Sequence, residues 1–511
     1  MRLVKRRMLT CACVLVAWAL PAFADEPIPD SATISAKVQA ANGPVPSNYR
    51  DVIEETQSNG VIVRVTHYVD GQSYRYDRVS GPIETQTGSY KGDAWHQDDN
   101  GFTVVHELPP GLATPDTFTT TVTRIVTPVT GYRIAHLNSA GLGTVEYVDA
   151  STWQVVRSES IDFAGTSVTS YGPRVTFGAM HLPKTWHTHS VDAALDEDFT
   201  RVSYDAGLVT DADIEMPPNR RELVEFPAGV DTVTLPTVFA KSGHIFVRAT
   251  VDGVGYDFLL DSGASQITVD PAAALKMHLT PFNKMQNAAN AGRVDTALAK
   301  IQLIAVGTLT MHDVFVHEIP MWDEGDVKIV GTMGFDFLAG IGVQIDYDNK
   351  RVVVHKVGSY DLEATKETNV IPIRLDTQQP LVTASINGAI AERILLDTGG
   401  AGTFLLFDYF ARRHPEALVD NMSGGANSRP RIFRGVGGVF STKTYQLKEI
   451  DLGSVRYKNF LGQVVTSKSY GGAKDGLLGA DFLRVYDLFL DYPHGQIGLT
   501  LNETGRHAAG K

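Results

Sequence analysis

The chain has 511 residues, 43% of them hydrophobic and 20% charged, an ordinary composition for a soluble globular protein. At roughly 100–200 residues per domain this suggests about three domains and excludes a single small module. A formal net charge of −13 gives no footing for nucleic acid, which is bound through clustered Lys and Arg.

The first feature along the chain is a positive segment, Arg2, Lys5, Arg6 and Arg7, followed by an apolar run at 8–20. That run is shorter than the ~20 residues of a transmembrane helix. Ala22-Phe23-Ala24 closes it with a small-residue cleavage pattern. Residues 1–24 therefore read as a secretory signal peptide, and the protein is expected to be exported, to the periplasm of a Gram-negative bacterium. Both cysteines, Cys11 and Cys13, lie inside this segment. The remainder is expected to have no disulfide, no thiol nucleophile and no Cys-ligated metal. Lipidation would need a cysteine at the end of the apolar run, and these stand near its start. No later stretch approaches the ~18 apolar residues of a membrane span, so none is predicted.

From residue 25 onward, short or alternating runs rich in Val, Ile, Thr, Phe and Tyr predict strands. Residues 25–225 are expected to form a β-rich N-terminal domain, with strands at 61–68, 72–79, 144–148 and 153–160 among others. Asp70-Gly71, Asn100-Gly101, Asp252-Gly253 and Asn387-Gly388 are hairpin turns by their chemistry. Helices are expected only in short pieces, the best at 271–276 and 407–414. His187-Thr188-His189 would place two imidazoles on one face of a strand, as metal ligands stand. No carboxylate or third His lies at a telling spacing, so an exposed strand is the preferred reading and no metal or cofactor is predicted. The Pro-rich, charged stretch 216–221 reads as a linker.

An internal repeat follows. Val251-Asp252-Gly253 … Phe258-Leu259-Leu260-Asp261-Ser262-Gly263 recurs as Ile386-Asn387-Gly388 … Ile394-Leu395-Leu396-Asp397-Thr398-Gly399. A second motif, Gly331-Thr332-Met333-Gly334-Phe335-Asp336-Phe337-Leu338, recurs as Gly476-Leu477-Leu478-Gly479-Ala480-Asp481-Phe482-Leu483. The offset of the second motif also carries Asp346-Tyr347 onto Asp491-Tyr492. The repeat places one lobe at about 230–358 and another at about 369–503, with a polar connector at 359–368 and a tail from 504. Asp336 and Asp481 are expected to cap short helices. Asp346 to Lys350 reads as a hairpin turn, because it lacks the Gly and terminal Glu of a calcium loop.

Two copies of apolar-apolar-Asp-Ser/Thr-Gly, each with a downstream G-x-x-G-x-D-F-L, resemble the aspartic peptidases. The likeness is nearest to the retropepsin-like branch in its fused, single-chain bacterial form. It implies a mostly β protein in which two tandem β-barrel lobes form a pseudo-twofold bilobal peptidase, preceded by the β-sheet-rich N-terminal domain. Asp261 and Asp397 match the catalytic pair, and Ser262, Gly263, Thr398 and Gly399 the loops that support it. The chemistry requires such a pair. Two carboxyls a few ångströms apart cannot both ionise, so they share a proton; the ionised one takes a proton from water and the neutral one polarises the scissile carbonyl. Hydrolysis of a polypeptide without cofactor is implied, and one chain suffices, so a monomer is expected. Flaps should be Gly-bearing hairpins between the motifs of each lobe, at 290–293 with Gly292 and at 435–438 with Gly435 and Gly437. Neither carries the flap tyrosine of eukaryotic pepsins. Two departures stand out. Thr332 replaces an apolar residue, and Gly399-Gly400-Ala401-Gly402 should loosen the lobe-2 loop. The alternative they leave open is a catalytically silent protein of this fold that binds a peptide, lipid or lipoprotein in the cell envelope.

The N-terminal region also resembles the curved half-barrel of periplasmic lipoprotein carriers. The resemblance rests on the strand, Asp turn and strand of Val145-Glu146-Tyr147-Val148-Asp149 … Trp153-Gln154-Val155-Val156-Arg157, and on Leu182-Pro183-Lys184.

Overall fold

The structure, a computed structural model, describes residues 27–106, 117–139, 141–161, 165–191, 193–289, 292–324, 327–362, 368–376, 378–400, 402, 404–418, 431–466 and 474–508. Residues 1–24, expected from the sequence to be a signal peptide, lie outside these with Cys11 and Cys13, as do Asn290, Ala291 and Ala401. The protein is mostly β: a β-rich N-terminal domain followed by two barrel-like lobes.

The N-terminal domain opens with the helix Ser31–Asn42, whose start is capped where Asp30 accepts the Thr33 N–H at 2.7 Å. A 13-stranded sheet follows, antiparallel at each pairing described. Its first strand, Asn48–Gln57, lies in mid-sheet between Ile62–Asp70 and Glu197–Ala206. The chain steps outward to one edge at Thr103–His106, resumes at the opposite edge with Thr119–Ile125, and works back to the centre. Ile34 of the helix seals a small core with Tyr132, Ile134 and Val148. The expected strands appear with boundaries moved by one or two residues, as Ile62–Asp70, Ser73–Ser80, Gly143–Asp149 and Val155–Ile161.

In each lobe, parallel pairing brings the two repeated motifs together. Val254–Leu260 pairs with Gly331–Met333, and Ala389–Leu396 pairs with Gly476–Leu478. Phe258-Leu259-Leu260 and Ile394-Leu395-Leu396 are buried throughout. Each run thus behaves as a central strand covered on both faces, which its unbroken apolar character requires. A six-stranded sheet joins the lobes, through antiparallel pairing of Ile341–Asp346 with Tyr486–Asp491. One hydrophobic core runs through both lobes.

The local chemistry is largely as expected. Asp252-Gly253 and Asn387-Gly388 both have positive φ at both residues and close two-residue hairpins. The helix Pro271–Lys276 forms with Asp270 as its cap, and Asp408–Arg413 fills the second helical span. Residues 347–350 connect the hairpin Ile341–Asp346 and Arg351–Lys356. Two turns differ. The first hairpin turns at Gly71-Gln72, because Asp70 already pairs with Ser73. Asn100-Gly101 sits within a longer loop, since the flanking pair is Gln97 with Thr103.

Candidate active site

Each Asp emerges at the end of its buried strand, and backbone bonds continue the parallel pairing into the loop. Asp261 N donates to Met333 O at 3.1 Å, and Asp397 N to Leu478 O at 2.9 Å. The loops then lock into each other. Ser262 N donates to Thr398 Oγ1 at 3.0 Å, and Thr398 N to Ser262 Oγ at 3.0 Å. Each hydroxyl in turn donates across the dyad axis, Ser262 Oγ to Leu396 O at 2.7 Å and Thr398 Oγ1 to Leu260 O at 2.8 Å. Ser262 and Thr398 are fully buried, so these four bonds act in a medium without competing water.

The glycines set the separation of the carboxyls. A Cβ on Gly263 would lie 2.6 Å from Asp397 Cγ, and one on Gly399 would lie 2.3 Å from Asp261 Cγ. Each loop therefore packs its bare backbone against the opposing carboxyl, a closeness that admits no side chain. Burial raises the Asp261 carboxyl above its ordinary range, opposed by hydrogen bonds from Asp397 and the Gly263 N–H, the latter at 2.8 Å. Asp397 is pushed well above its ordinary range, by burial first and then by the facing charge of Asp261. Both carboxyls are raised, so the pair shares a proton and titrates as one unit.

Backbone bonds tie Gly400 and Gly402 of the lobe-2 loop to the second motif of that lobe. Ala480 N donates to Gly400 O at 2.8 Å and Asp481 N to Gly402 O at 3.2 Å, matching the bond from Phe335 N to Ala264 O at 3.0 Å in lobe 1. Gly400 also has a local role, because a Cβ there would fall 2.8 Å from Asp397 Oδ2. Thr332 is satisfied as well: it is buried beside Thr268, with the two hydroxyl oxygens 2.8 Å apart.

The dyad opens into a cleft of about 650 Å³ between the lobes, lined from lobe 1 by His244, Gln266 and Trp322 and from lobe 2 by Phe404, Phe433 and Phe440. Among the described residues its wall holds no Lys, Arg or Glu. The lobe-2 flap candidate stands over it. Strands Arg431–Gly435 and Gly438–Leu452 pair up to Gly435 and Gly438, Gly437 has φ +88°, and Gly435 and Val436 line the cleft. Stacked rings of Phe433 and Phe440 stiffen this hairpin. The lobe-1 candidate is placed differently. Gly292 closes the hairpin Phe282–Ala289 and Gly292–Val306, but among the described residues that hairpin contributes nothing to the cleft wall. Asn283 at its base instead donates to Ser80 Oγ of the N-terminal domain at 2.9 Å.

Three features were not recognised as parts of the site from the sequence. Tyr492, the repeat partner of Tyr347, donates its buried hydroxyl to Ser262 O at 3.1 Å and so braces the Asp261 loop from behind. Gln379 donates to Gly263 O. The third is the Asn100-Gly101 loop, which reaches from the N-terminal sheet to the underside of the lobes. Asn100 Nδ2 donates to Phe315 O and to Asp336 Oδ1, both at 3.0 Å, and its Oδ1 accepts the Phe315 N–H at 2.9 Å. Asp99 meets Gln266 and His317, and Asp98 accepts from Gln378 at 2.6 Å. Asp336 is thus no helix cap. Gly334 holds the cap position without a side-chain bond, and the Asp336 carboxylate bridges Asn100 to the Ile267 N–H at 2.6 Å, just beyond the Asp261 loop. Asp481 does not cap either, and pairs with Arg484. Burial and then the charge of Asp99 push Asp98 up to about 7; burial and the charges of Asp98 and Asp99 hold Asp336 well above the carboxylate range. The repeat of Asp336 was a visible signal, but its partner came from a loop more than 230 residues away.

Residues 247–337 and 382–482 match the aspartyl protease family model, one segment in each lobe. The two lobes are therefore aspartyl-protease-like in sequence and β architecture. No curated protein matches the chain. Among solved structures, the chain is similar to an aspartic proteinase from Irpex lacteus, at 13% identity over 53% of this chain and 98% of that one, with a TM-score of 0.34. It is also similar to a LolA superfamily protein from Nitrosomonas europaea, at 10% identity over 37% of this chain and 98% of that one, with a TM-score of 0.29. A DUF1329 family protein from Desulfovibrio piger is similar at 10% identity over 36% and 95%, with a TM-score of 0.29.

Proposed function

We propose that the protein is an exported aspartic endopeptidase, with Asp261 and Asp397 as its catalytic dyad. The observation that carries this reading is the mutual packing of each loop glycine against the opposite carboxyl. That packing leaves the two acids one shared environment and one shared proton. In the proposed mechanism the ionised member of the pair takes a proton from the attacking water. The protonated member donates its proton to the carbonyl oxygen of the scissile bond. The substrate is an extended polypeptide laid between the lobes under the 435–438 hairpin, with main-chain bonds to that hairpin. A wall that, among the described residues, lacks Lys, Arg and Glu and is rich in Phe favours apolar substrate residues beside the scissile bond.

The proposed division is a signal peptide at 1–24, an N-terminal domain at 25–225, and lobes at 230–358 and 369–503, active as a monomer in the periplasm. Among the described residues no helix is long and apolar enough to cross a membrane. The test is cleavage of a mixed peptide library, read by mass spectrometry across acidic to neutral pH, with Asp261→Asn and Asp397→Asn alongside. Products that vanish in both variants support the dyad. Substantial cleavage by either purified variant sinks it, and peptide capture without cleavage by the native protein favours the binding alternative.

A further inference from the structure

A second group of converging donors lies in the N-terminal domain. Among the described residues, His187, His189 and Asp196 bring ligand atoms within 4.8 Å of one another. The two histidines alternate along the strand Thr185–His189 and so share a face. Asp196 is absent from any local metal motif. It arrives because the chain folds back between Thr185–His189 and the neighbouring strand Glu197–Ala206.

The hydrogen bonds at this group orient it as a metal site is oriented. Asp198 stands directly across from His187 in the ladder, and its carboxylate lies 2.9 Å from His187 Nδ1. A carboxylate on Nδ1 fixes the tautomer and leaves Nε2 with its lone pair, the usual outer support of a metal-binding imidazole. His187 Nε2 then faces Asp196 Oδ2 at 3.8 Å. His189 Nδ1 approaches the same Oδ2 at 2.8 Å. The other oxygen of Asp196 is occupied by the Ser190 N–H at 2.9 Å, which holds Oδ2 toward the imidazoles. Tetrahedral coordination at ~2.0–2.1 Å separates donors by about 3.3 Å. The 2.8 and 3.8 Å spacings bracket that value and need only small side-chain rotations to meet it.

We propose that His187, His189 and Asp196 bind a divalent transition-metal ion, with zinc the best match, and that Asp198 positions His187. Two imidazoles and a carboxylate suit zinc and the metals beside it in affinity order, and not calcium or magnesium, which take oxygen ligands. The histidines are half-exposed, so the fourth position opens to solvent for a water molecule or a donor from another molecule. The site is remote in sequence from the dyad and does not depend on the peptidase reading.

The experiment is titration calorimetry of the full chain, purified without a histidine tag, with zinc chloride in a non-chelating buffer. Cobalt(II) absorption provides a second readout. The expected result is one tight equivalent and a tetrahedral cobalt spectrum. His187→Ala, His189→Ala and Asp196→Asn should each weaken binding by more than tenfold, and Asp198→Ala by about tenfold through the outer shell alone. These side chains lie at the surface, so circular dichroism should report an unchanged fold. Zinc binding that persists in the His187→Ala/His189→Ala double variant would place the metal elsewhere and overturn the assignment. So would the absence of binding to the native chain at millimolar zinc.

Discussion

Replacing Asn100 by Ala removes three hydrogen bonds between the N-terminal domain and lobe 1, a buried one to Asp336 and two partly buried ones to the Phe315 backbone. Each is worth about 0.5–1.5 kcal/mol net, so the direct loss is about 3 kcal/mol. The orphaned Phe315 amide and Asp336 carboxylate add to this wherever water does not fill the space. For domains of this size, about 3 kcal/mol corresponds to roughly 6–12 °C in melting temperature. The effect should extend to catalysis, because Asp336 also holds the Ile267 N–H beyond the Asp261 loop. Scanning calorimetry and peptide cleavage below the melting transition would be measured on the same preparation. The expected outcome is a lower melting temperature together with a reduced kcat, and Asn100→Asp should do no better, since it adds a carboxylate beside Asp98, Asp99 and Asp336. A melting temperature within roughly 2 °C of the native protein, with unchanged kcat, would refute the reasoning. It would mean that this loop merely touches the lobes.

Gly399→Ala should abolish cleavage, because its Cβ would fall 2.3 Å from Asp261 Cγ, and the carboxyls must separate to admit it; retained activity would contradict the packing described. Thr398→Val removes both bonds of that hydroxyl, its donation to Leu260 O and its acceptance of the Ser262 N–H, so a loss of about 1–3 kcal/mol in chemical denaturation is expected, against a loss near zero if the hydroxyl is idle. The pH dependence of stability has a definite sign. Asp98 is raised to about 7 in the folded protein from about 3.9 unfolded, so the folded state binds the proton more tightly. Its contribution is complete below the unfolded value and is lost as pH rises through the folded one. Stability should therefore fall between about pH 4 and 7, and Asp98→Asn should make that slope shallower; an unchanged slope counts against a protonated Asp98.

Legibility in the sequence followed the range of the interactions. Phe258-Leu259-Leu260 and Ile394-Leu395-Leu396 announce buried strands because apolar runs have few other uses in a β protein. Asp252-Gly253 and Asn387-Gly388 announce tight turns because only such residues tolerate two successive positive φ angles. The candidate dyad was legible because duplication wrote it twice. The backbone bonds that Gly400 and Gly402 accept come from Ala480 and Asp481, across a strand pairing that spacing does not reveal.

Thus the sequence alone determined the β class, the two repeated lobes, the paired acids and the short helices at 271–276 and 408–413, all of which rest on local chemistry or on repetition, while the helix Ser31–Asn42 went unread. Tertiary structure decided which groups meet. It turned Asp336 from an expected cap into a bridge, brought Asn100 to Phe315 and Asp336, set Tyr492 behind Ser262, and carried Asp196 to His187 and His189. Side-chain identity states what a residue can bond. Only the closed chain, with water excluded, states which partner is within reach.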